Sequence, residues 1–241
     1  MDREADVITK ARGADSRDLP VPLVSLQNVS LGYDGNPVLR NVSVAIGPGT
    51  LVGMAGPNGS GKTTLFRSIL GLLPILDGTI SRACALSSFG YVPQSAALDP
   101  QFPLSAAEVV EMGAYGRVRP YQVLPNGEKA RIVEVLQQVG LPQLAQRSFF
   151  SLSGGQKQRM LIARALMIDP KIMILDEPLS GVDEESRRSI AQLLFNLTRE
   201  KKIAVFFSSH DLEMVQRLAD EIVRVGKGEV FVEKGNRGGE P

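Results

Sequence analysis

The chain has 241 residues, 43% hydrophobic and 22% charged, with 27 Lys and Arg against 26 Asp and Glu and a formal net charge of +1. That length suits one domain with a real core, so apolar and so little charged a body is not disordered, and the charge balance argues against a protein built to grip nucleic acid. One Cys, Cys84, excludes an internal disulfide, and one His, His210, restricts any His-based metal site or acid–base scheme.

Residues 1–22 mix both charges, lack the apolar stretch of a secretory signal and close on Leu19-Pro20-Val21-Pro22, which predicts a loose N-terminal arm. From 23 to 80 the pattern is strand-like: Leu23-Val24-Ser25-Leu26, then 38–44, then Leu51-Val52-Gly53-Met54. Turn signals at Tyr33-Asp34-Gly35-Asn36-Pro37 and Gly47-Pro48-Gly49 separate these runs. A Gly-rich segment then leads into a helical run over 63–70.

Residues 95–150 look helical and read as an insertion. Ser105 with Glu108 three residues on makes a capping box, and a second helix is predicted over 131–139, ended by Gly140 and Pro142, with a Pro/Gly/Tyr-rich loop at 113–127 between them. A helix over 153–167, a strand over 171–175, a helix over 184–199, a strand over 203–207 and a helix over 212–218 follow, before a polar end. Alternating strands and helices predict an α/β fold around a parallel sheet with both faces covered. The longest apolar runs, 69–76 and 203–207, fall well short of the roughly 18 residues a membrane span needs, so a soluble, cytoplasmic chain is expected.

Three motifs carry chemistry. Gly56-Pro57-Asn58-Gly59-Ser60-Gly61-Lys62-Thr63 matches GxxxxGK[ST], follows an apolar strand and opens a helix that continues through Thr64. Its backbone N–H groups and the helix N-terminus suit phosphate, Lys62 can reach the β- and γ-phosphates, and the Thr63 hydroxyl can ligate Mg²⁺. Ile172-Met173-Ile174-Leu175-Asp176-Glu177 is a continuous apolar run of buried parallel-strand type with two carboxylates at its C-terminal end, the edge where open α/β sheets bind ligands. There Asp176 can hold Mg²⁺ through water and Glu177 can act as general base; acidic residues also simply terminate strands. Leu152-Ser153-Gly154-Gly155-Gln156 opens a long helix, either as an ordinary Ser N-cap or as a second anion site. Two such sites on one chain fit a head-to-tail dimer, each nucleotide lying between one chain's loop and the Ser153 helix of the other.

These residues together resemble the nucleotide-binding subunit of ABC transporters, over roughly 23–232 and in the family's order. The resemblance implies a P-loop NTPase with a RecA-like core, a small antiparallel β subdomain and an inserted helical subdomain at about 95–165, flanked by the arm (1–22) and a tail (233–241). It makes Ser153, Gly154, Gly155 and Gln156 the signature sequence and Tyr33 the aromatic that stacks on adenine. It makes Gln94, in Tyr91-Val92-Pro93-Gln94, the Q-loop residue near Mg²⁺ and the attacking water, Asp183 the D-loop residue, and His210 the switch histidine at the γ-phosphate. The D-loop departs from the family: Gly181-Val182 precede Asp183 where Ala-Leu is commoner. Taken singly, Tyr33 also reads as half-buried packing, Gln94 as a loop residue and His210 as a satisfied histidine. His210, however, follows the strand over 203–207, at the same sheet edge as Asp176.

The implied function is ATP binding and hydrolysis, with ATP and Mg²⁺ as cofactors, energising solute transport through a separate permease. The implied partners are a second ATPase subunit, alike or different, the permease, which docks on 95–150, and a solute-binding protein if the system imports; no nucleic acid is expected. The chain would then sit peripherally on the cytoplasmic face of the membrane. Residues 97–113 and Leu70-Gly71-Leu72-Leu73-Pro74 resemble the matching stretches of zinc, manganese or chelated-iron importers, although no residue here is expected to touch a transported metal. The alternatives are an exporter subunit or a soluble non-transport ABC ATPase. Soluble relatives usually carry two cassettes or long coiled-coil insertions, which this length does not accommodate, and a non-hydrolysing regulatory subunit would typically lack Glu177, His210 or the signature.

Overall fold

The computed structural model describes residues 21–94, 98–116 and 124–235. Most of the expected arm (1–20), residues 95–97 at the start of the helical stretch, the middle of the expected loop (117–123) and the end of the tail (236–241) lie outside the described residues.

β1 (Val24–Tyr33) and β2 (Asn36–Ile46) form an antiparallel hairpin closed by Asp34 and Gly35, whose φ values of 50° and 77° are those of a two-residue turn matching strand twist. β3 (Leu51–Ala55) runs into the Gly-rich loop and α1 (Lys62–Ile69). β4 (Ile75–Arg82) then returns to the free edge of β1, completing a three-stranded antiparallel sheet ordered β2-β1-β4. β5 (Phe89–Val92) leads to the helical region: α2 (Ala106–Glu111), α3 (Asn126–Gln138) and α4 (Gly154–Leu166). The chain continues through β6 (Ile172–Leu175), α5 (Glu184–Arg199), β7 (Ala204–Ser209), α6 (Leu212–Leu218), β8 (Glu221–Gly226) and β9 (Glu229–Lys234). The second sheet is ordered β5-β6-β7-β3-β8-β9, parallel throughout except for β9.

β3, β6 and β7 are buried along their whole length, as strands covered on both faces must be. Their period of two divides the core. Ile172, Ile174, Ala204, Phe206, Val52 and Met54 face β1, β2 and α1, where Phe66 meets Phe206 edge to face at 5.0 Å between ring centroids. Met173, Leu175, Val205 and Phe207 face the other way, into a core shared with α2, α3, α4 and α5.

The capping box predicted at Ser105 is present, with Ser105 N–H donating to Glu108 Oε2 (2.7 Å) and Ser105 Oγ accepting from Glu108 N–H (3.2 Å). α5 and α6 span the predicted residues. α3 begins at Asn126, five residues ahead of the expected 131, because its apolar face (Ile132, Val135, Leu136) starts only in the second turn. β9 runs to Lys234, so Glu233 and Lys234, expected in the tail, pair with Ile222 and Glu221. Among the described residues no helix is long and apolar enough to cross a membrane.

Candidate active site

The parallel register aligns the C-terminal ends of four strands. Val92 pairs with Leu175, Leu175 with Phe207, and Ser209 with Ala55, so residues 56–63, 94, 176–177 and 210 leave the sheet at one edge. In open α/β sheets ligands bind at that edge.

The Gly-rich loop crosses from β3 to α1, and Gly61 takes φ 105° at the helix start. A Cβ there would stand 2.9 Å from Leu39, so both conformation and space demand glycine. Lys62 is buried, its Nζ donating to Gly56 O (2.7 Å) and Pro57 O (3.2 Å) and standing 3.3 Å from Glu177 Oε1. The last contact is an ion pair without hydrogen-bond geometry, since Glu177 Oε1 has no hydrogen-bond partner among the described residues. Ser60 N–H closes the loop onto Pro57 O at 3.3 Å.

Asp176 is 3% exposed and is held at both oxygens: Thr63 Oγ1 donates to Oδ2 (2.8 Å) and Ser208 Oγ donates to Oδ1 (2.7 Å). Glu177 follows with φ 52°, and its N–H donates to the same Ser208 Oγ at 2.8 Å. Its carboxylate lies between Lys62 and His210, whose Nδ1 is 3.0 Å from Glu177 Oε2. An ionised carboxylate only accepts, which puts the proton of that bond on Nδ1. The phenol of Tyr91 on β5 is pushed above its usual range by burial, helped by the negative charge of Asp176 and opposed by Arg67.

Beside these groups opens a cleft of about 460 Å³; His210 is not among its lining residues and meets it through its bond to Glu177. Asn58, Gly59, Gly61, Lys62, Thr63 and Thr64 line it from the loop and α1, Asp176 and Glu177 from β6, Gln94 from β5, and Tyr33 and Val38 from the β1–β2 hairpin. Tyr33 is 42% exposed, so its ring is available for stacking. The hard oxygens of Asp176 and Thr63, 2.8 Å apart beside a phosphate-type loop, suit a magnesium ion that takes its remaining ligands from water and phosphate.

The remaining predicted residues gather elsewhere. Ser153 caps α4 through a reciprocal pair: its Oγ accepts from Gln156 N–H (3.3 Å) while its N–H donates to Gln156 Oε1 (3.0 Å). Asp183 caps α5, its Oδ1 accepting from Ser186 N–H (2.8 Å) and its Oδ2 from Ser186 Oγ (2.7 Å). The two helix starts abut: a Cβ on Gly154 would lie 3.6 Å from Gly181 O, and one on Gly155 would lie 2.2 Å from Ser186 Oγ. Ser153, Gly154, Gly155, Gln156 and Asp183 thus form one cluster, and none of them lines the cleft.

Sequence reading missed Ser208, which ties Asp176 to the backbone of Glu177. Its signal was a hydroxyl placed directly after the apolar run 203–207.

A family model described as ABC transporter matches residues 39–180. The manganese transport system ATP-binding protein MntB of Bacillus subtilis (strain 168) is 39% identical over 205 residues, covering 83% of this chain and 82% of that one. The zinc import ATP-binding protein ZnuC of Ruegeria sp. (strain TM1040) is 38% identical over 201 residues, 83% of this chain and 76% of that one. Among solved structures, the dimeric MJ0796, a bacterial ABC transporter cassette, superposes with a TM-score of 0.74 at 30% identity, over 88% of this chain and 99% of that one.

Proposed function

The chain belongs to the ABC transporter family, as an ATP-binding subunit that hydrolyses ATP to energise transport, and on that premise we propose that its cargo is manganese or zinc, imported through a separate permease. The observation that carries the catalytic reading is the convergence of Lys62, Thr63, Asp176 and Glu177 on one cleft, with His210 hydrogen-bonded to Glu177 from a third parallel strand. In it, 56–61 and Lys62 bind the phosphates, Tyr33 stacks on adenine, and Thr63, Asp176 and Gln94 hold Mg²⁺, which supplies charge neutralisation at the phosphate oxygens. Glu177 takes a proton from water as that water attacks the γ-phosphorus; the bond from the γ-phosphorus to the β–γ bridging oxygen breaks, and ADP leaves with the electron pair. His210 steadies the γ-phosphate. Positioning and charge supply most of the acceleration.

ABC cassettes dimerise, and the separation of this chain's two clusters supports a composite site in which Ser153, Gly154, Gly155, Gln156 and Asp183 face a partner subunit's nucleotide. The domain begins at 23 and, with β9, runs to 234. Within its helical insertion at about 95–165, residues 95–150 dock on the permease, which holds the subunit peripherally at the cytoplasmic face of the membrane. A solute-binding protein delivers the cargo.

The names of the relatives support the cargo. It is tested by reconstituting the subunit with its permease and binding protein in liposomes and measuring ATP-dependent uptake of radioactive Mn²⁺ and Zn²⁺. Uptake of one, competed by the unlabelled ion, is expected. Uptake of neither by a complex that still hydrolyses ATP would overturn the cargo while leaving the ATPase intact.

A further inference from the structure

We propose that Ser208 is a positioning residue for ATP hydrolysis: one hydroxyl sets both the Asp176 carboxylate and the backbone of Glu177. The inference rests on the Mg-ATP site proposed above.

Ser208 lies on β7, the strand between β6, which carries the two acids, and β3, which carries the phosphate loop. It is fully buried, at 0% exposure, where its neighbours Phe206 and Phe207 are also fully buried. A buried hydroxyl costs stability unless bonded, and a strand hydroxyl can usually bond a nearby backbone group. Ser208 instead reaches across to another strand and uses both its capacities at the site, donating to Asp176 Oδ1 (2.7 Å) and accepting from Glu177 N–H (2.8 Å).

The geometric consequences differ for the two acids. Thr63 holds Asp176 Oδ2 from the loop side, so Ser208 at Oδ1 stops the carboxylate from turning about its last torsion. Glu177 stands at φ 52°, a left-handed conformation uncommon for a residue with a side chain, and its N–H bond to Ser208 helps to hold it there. That conformation aims its carboxylate between Lys62 and His210. Groups that orient a metal ligand typically change metal affinity or activity by about 10- to 100-fold when removed.

The test compares wild type, Ser208→Ala and Ser208→Thr. Mn²⁺ binding in the presence of a non-hydrolysable ATP analogue is followed by electron paramagnetic resonance, and metal-free binding of the same analogue is followed separately in EDTA. Ser208→Ala is expected to weaken Mn²⁺ binding at least about tenfold, to leave metal-free analogue binding unchanged, and to lower kcat far more than it raises KM for ATP. Ser208→Thr, which keeps the hydroxyl, is expected to restore Mn²⁺ binding towards wild type. The proposal is overturned if Ser208→Ala binds Mn²⁺ as wild type does, or if it loses metal-free analogue binding to the same degree, the mark of a general packing role. Failure of the wild type itself to bind Mn²⁺ with the analogue would instead overturn the Mg-ATP reading, and the role of Ser208 with it.

Discussion

The imidazole of His210 hydrogen-bonds the carboxylate of Glu177, Nδ1 to Oε2 at 3.0 Å, and the opposite oxygen of that carboxylate faces Lys62 at 3.3 Å. A buried base held between two such groups is fixed in direction before a water meets it. Glu177→Gln keeps the shape and removes the basicity. Hydrolysis should fall by ~10²–10⁴ while ATP binding survives, the usual weight of a general base. With saturating Mg-ATP the same variant should elute from gel filtration as a dimer, and without nucleotide as a monomer. Near wild-type turnover would remove Glu177 from the role, and a monomer under Mg-ATP would count against the composite site.

The parts of this site that follow from local chemistry were legible in the sequence. A GxxxxGK[ST] loop between an apolar strand and a helix needs nothing distant to be read, and neither does an apolar run ending in Asp176-Glu177. The caps at Ser105 and Ser153 are local for the same reason. β4 was not identified as a separate strand, because it is largely exposed, carries Gly78 at φ 87° and lacks a clean alternation. Strand order was not legible either: β3 lies between β7 and β8, so the loop at 56–63 meets Asp176 across 113 positions of chain. Ser208 meets Asp176 and Glu177 by the same route, through the register of β6 on β7. Gly155 read as part of a signature, whereas its packing reason, the approach of Ser186, needs the fold.

At the start of α5, the hydrogen bonds to Asp183 from the N–H and then the Oγ of Ser186 hold its carboxyl below the usual range. A carboxyl lowered in the folded state stabilises the protein above its unfolded value of about 3.9, and that contribution disappears as pH falls through the lower folded value. The gap in Tm between wild type and Asp183→Ala should therefore be widest at neutral pH and shrink below about pH 4. Thermal melts across that range check it; a gap that stays constant into strong acid would show that the charge of Asp183 contributes nothing to the cap.

Asp220 anchors the strand that feeds the phosphate loop. Its Oδ2 accepts from Leu51 N–H (2.9 Å) and from Arg199 Nη1 (3.1 Å), its Oδ1 pairs with Arg199 Nη2, and it is only 6% exposed. Removing the carboxylate in Asp220→Ala leaves the Leu51 N–H without its side-chain acceptor, a loss of about 1–3 kcal/mol for a buried group. Asp220→Asn keeps an acceptor and should lose less. Urea unfolding should rank wild type above Asn above Ala, with ATP affinity the same in all three well below the transition. An Ala variant as stable as wild type would mean the bond to Leu51 contributes no net stability.

Gly155 and Ser186 supply a test of how α4 meets α5. A Cβ at 155 would lie 2.2 Å from Ser186 Oγ and 2.3 Å from Ser186 Cβ, so Gly155→Ala has to push the two helix starts apart. Separations that short cannot be relieved by a side-chain rotation alone, because the Ser186 Cβ is fixed to its backbone. Gly155→Ala should lower Tm and reduce hydrolysis, since it moves Ser153 and Asp183 relative to each other, while ATP binding at Lys62 persists. Ser186→Gly removes the obstructing atoms, at the cost of the Oγ bond to Asp183. The double variant should then be more stable than the sum of the two single effects, the non-additivity expected of residues in contact. Strictly additive losses in Tm would show that the backbone relaxes around position 155 without engaging Ser186, and the glycine would need another explanation.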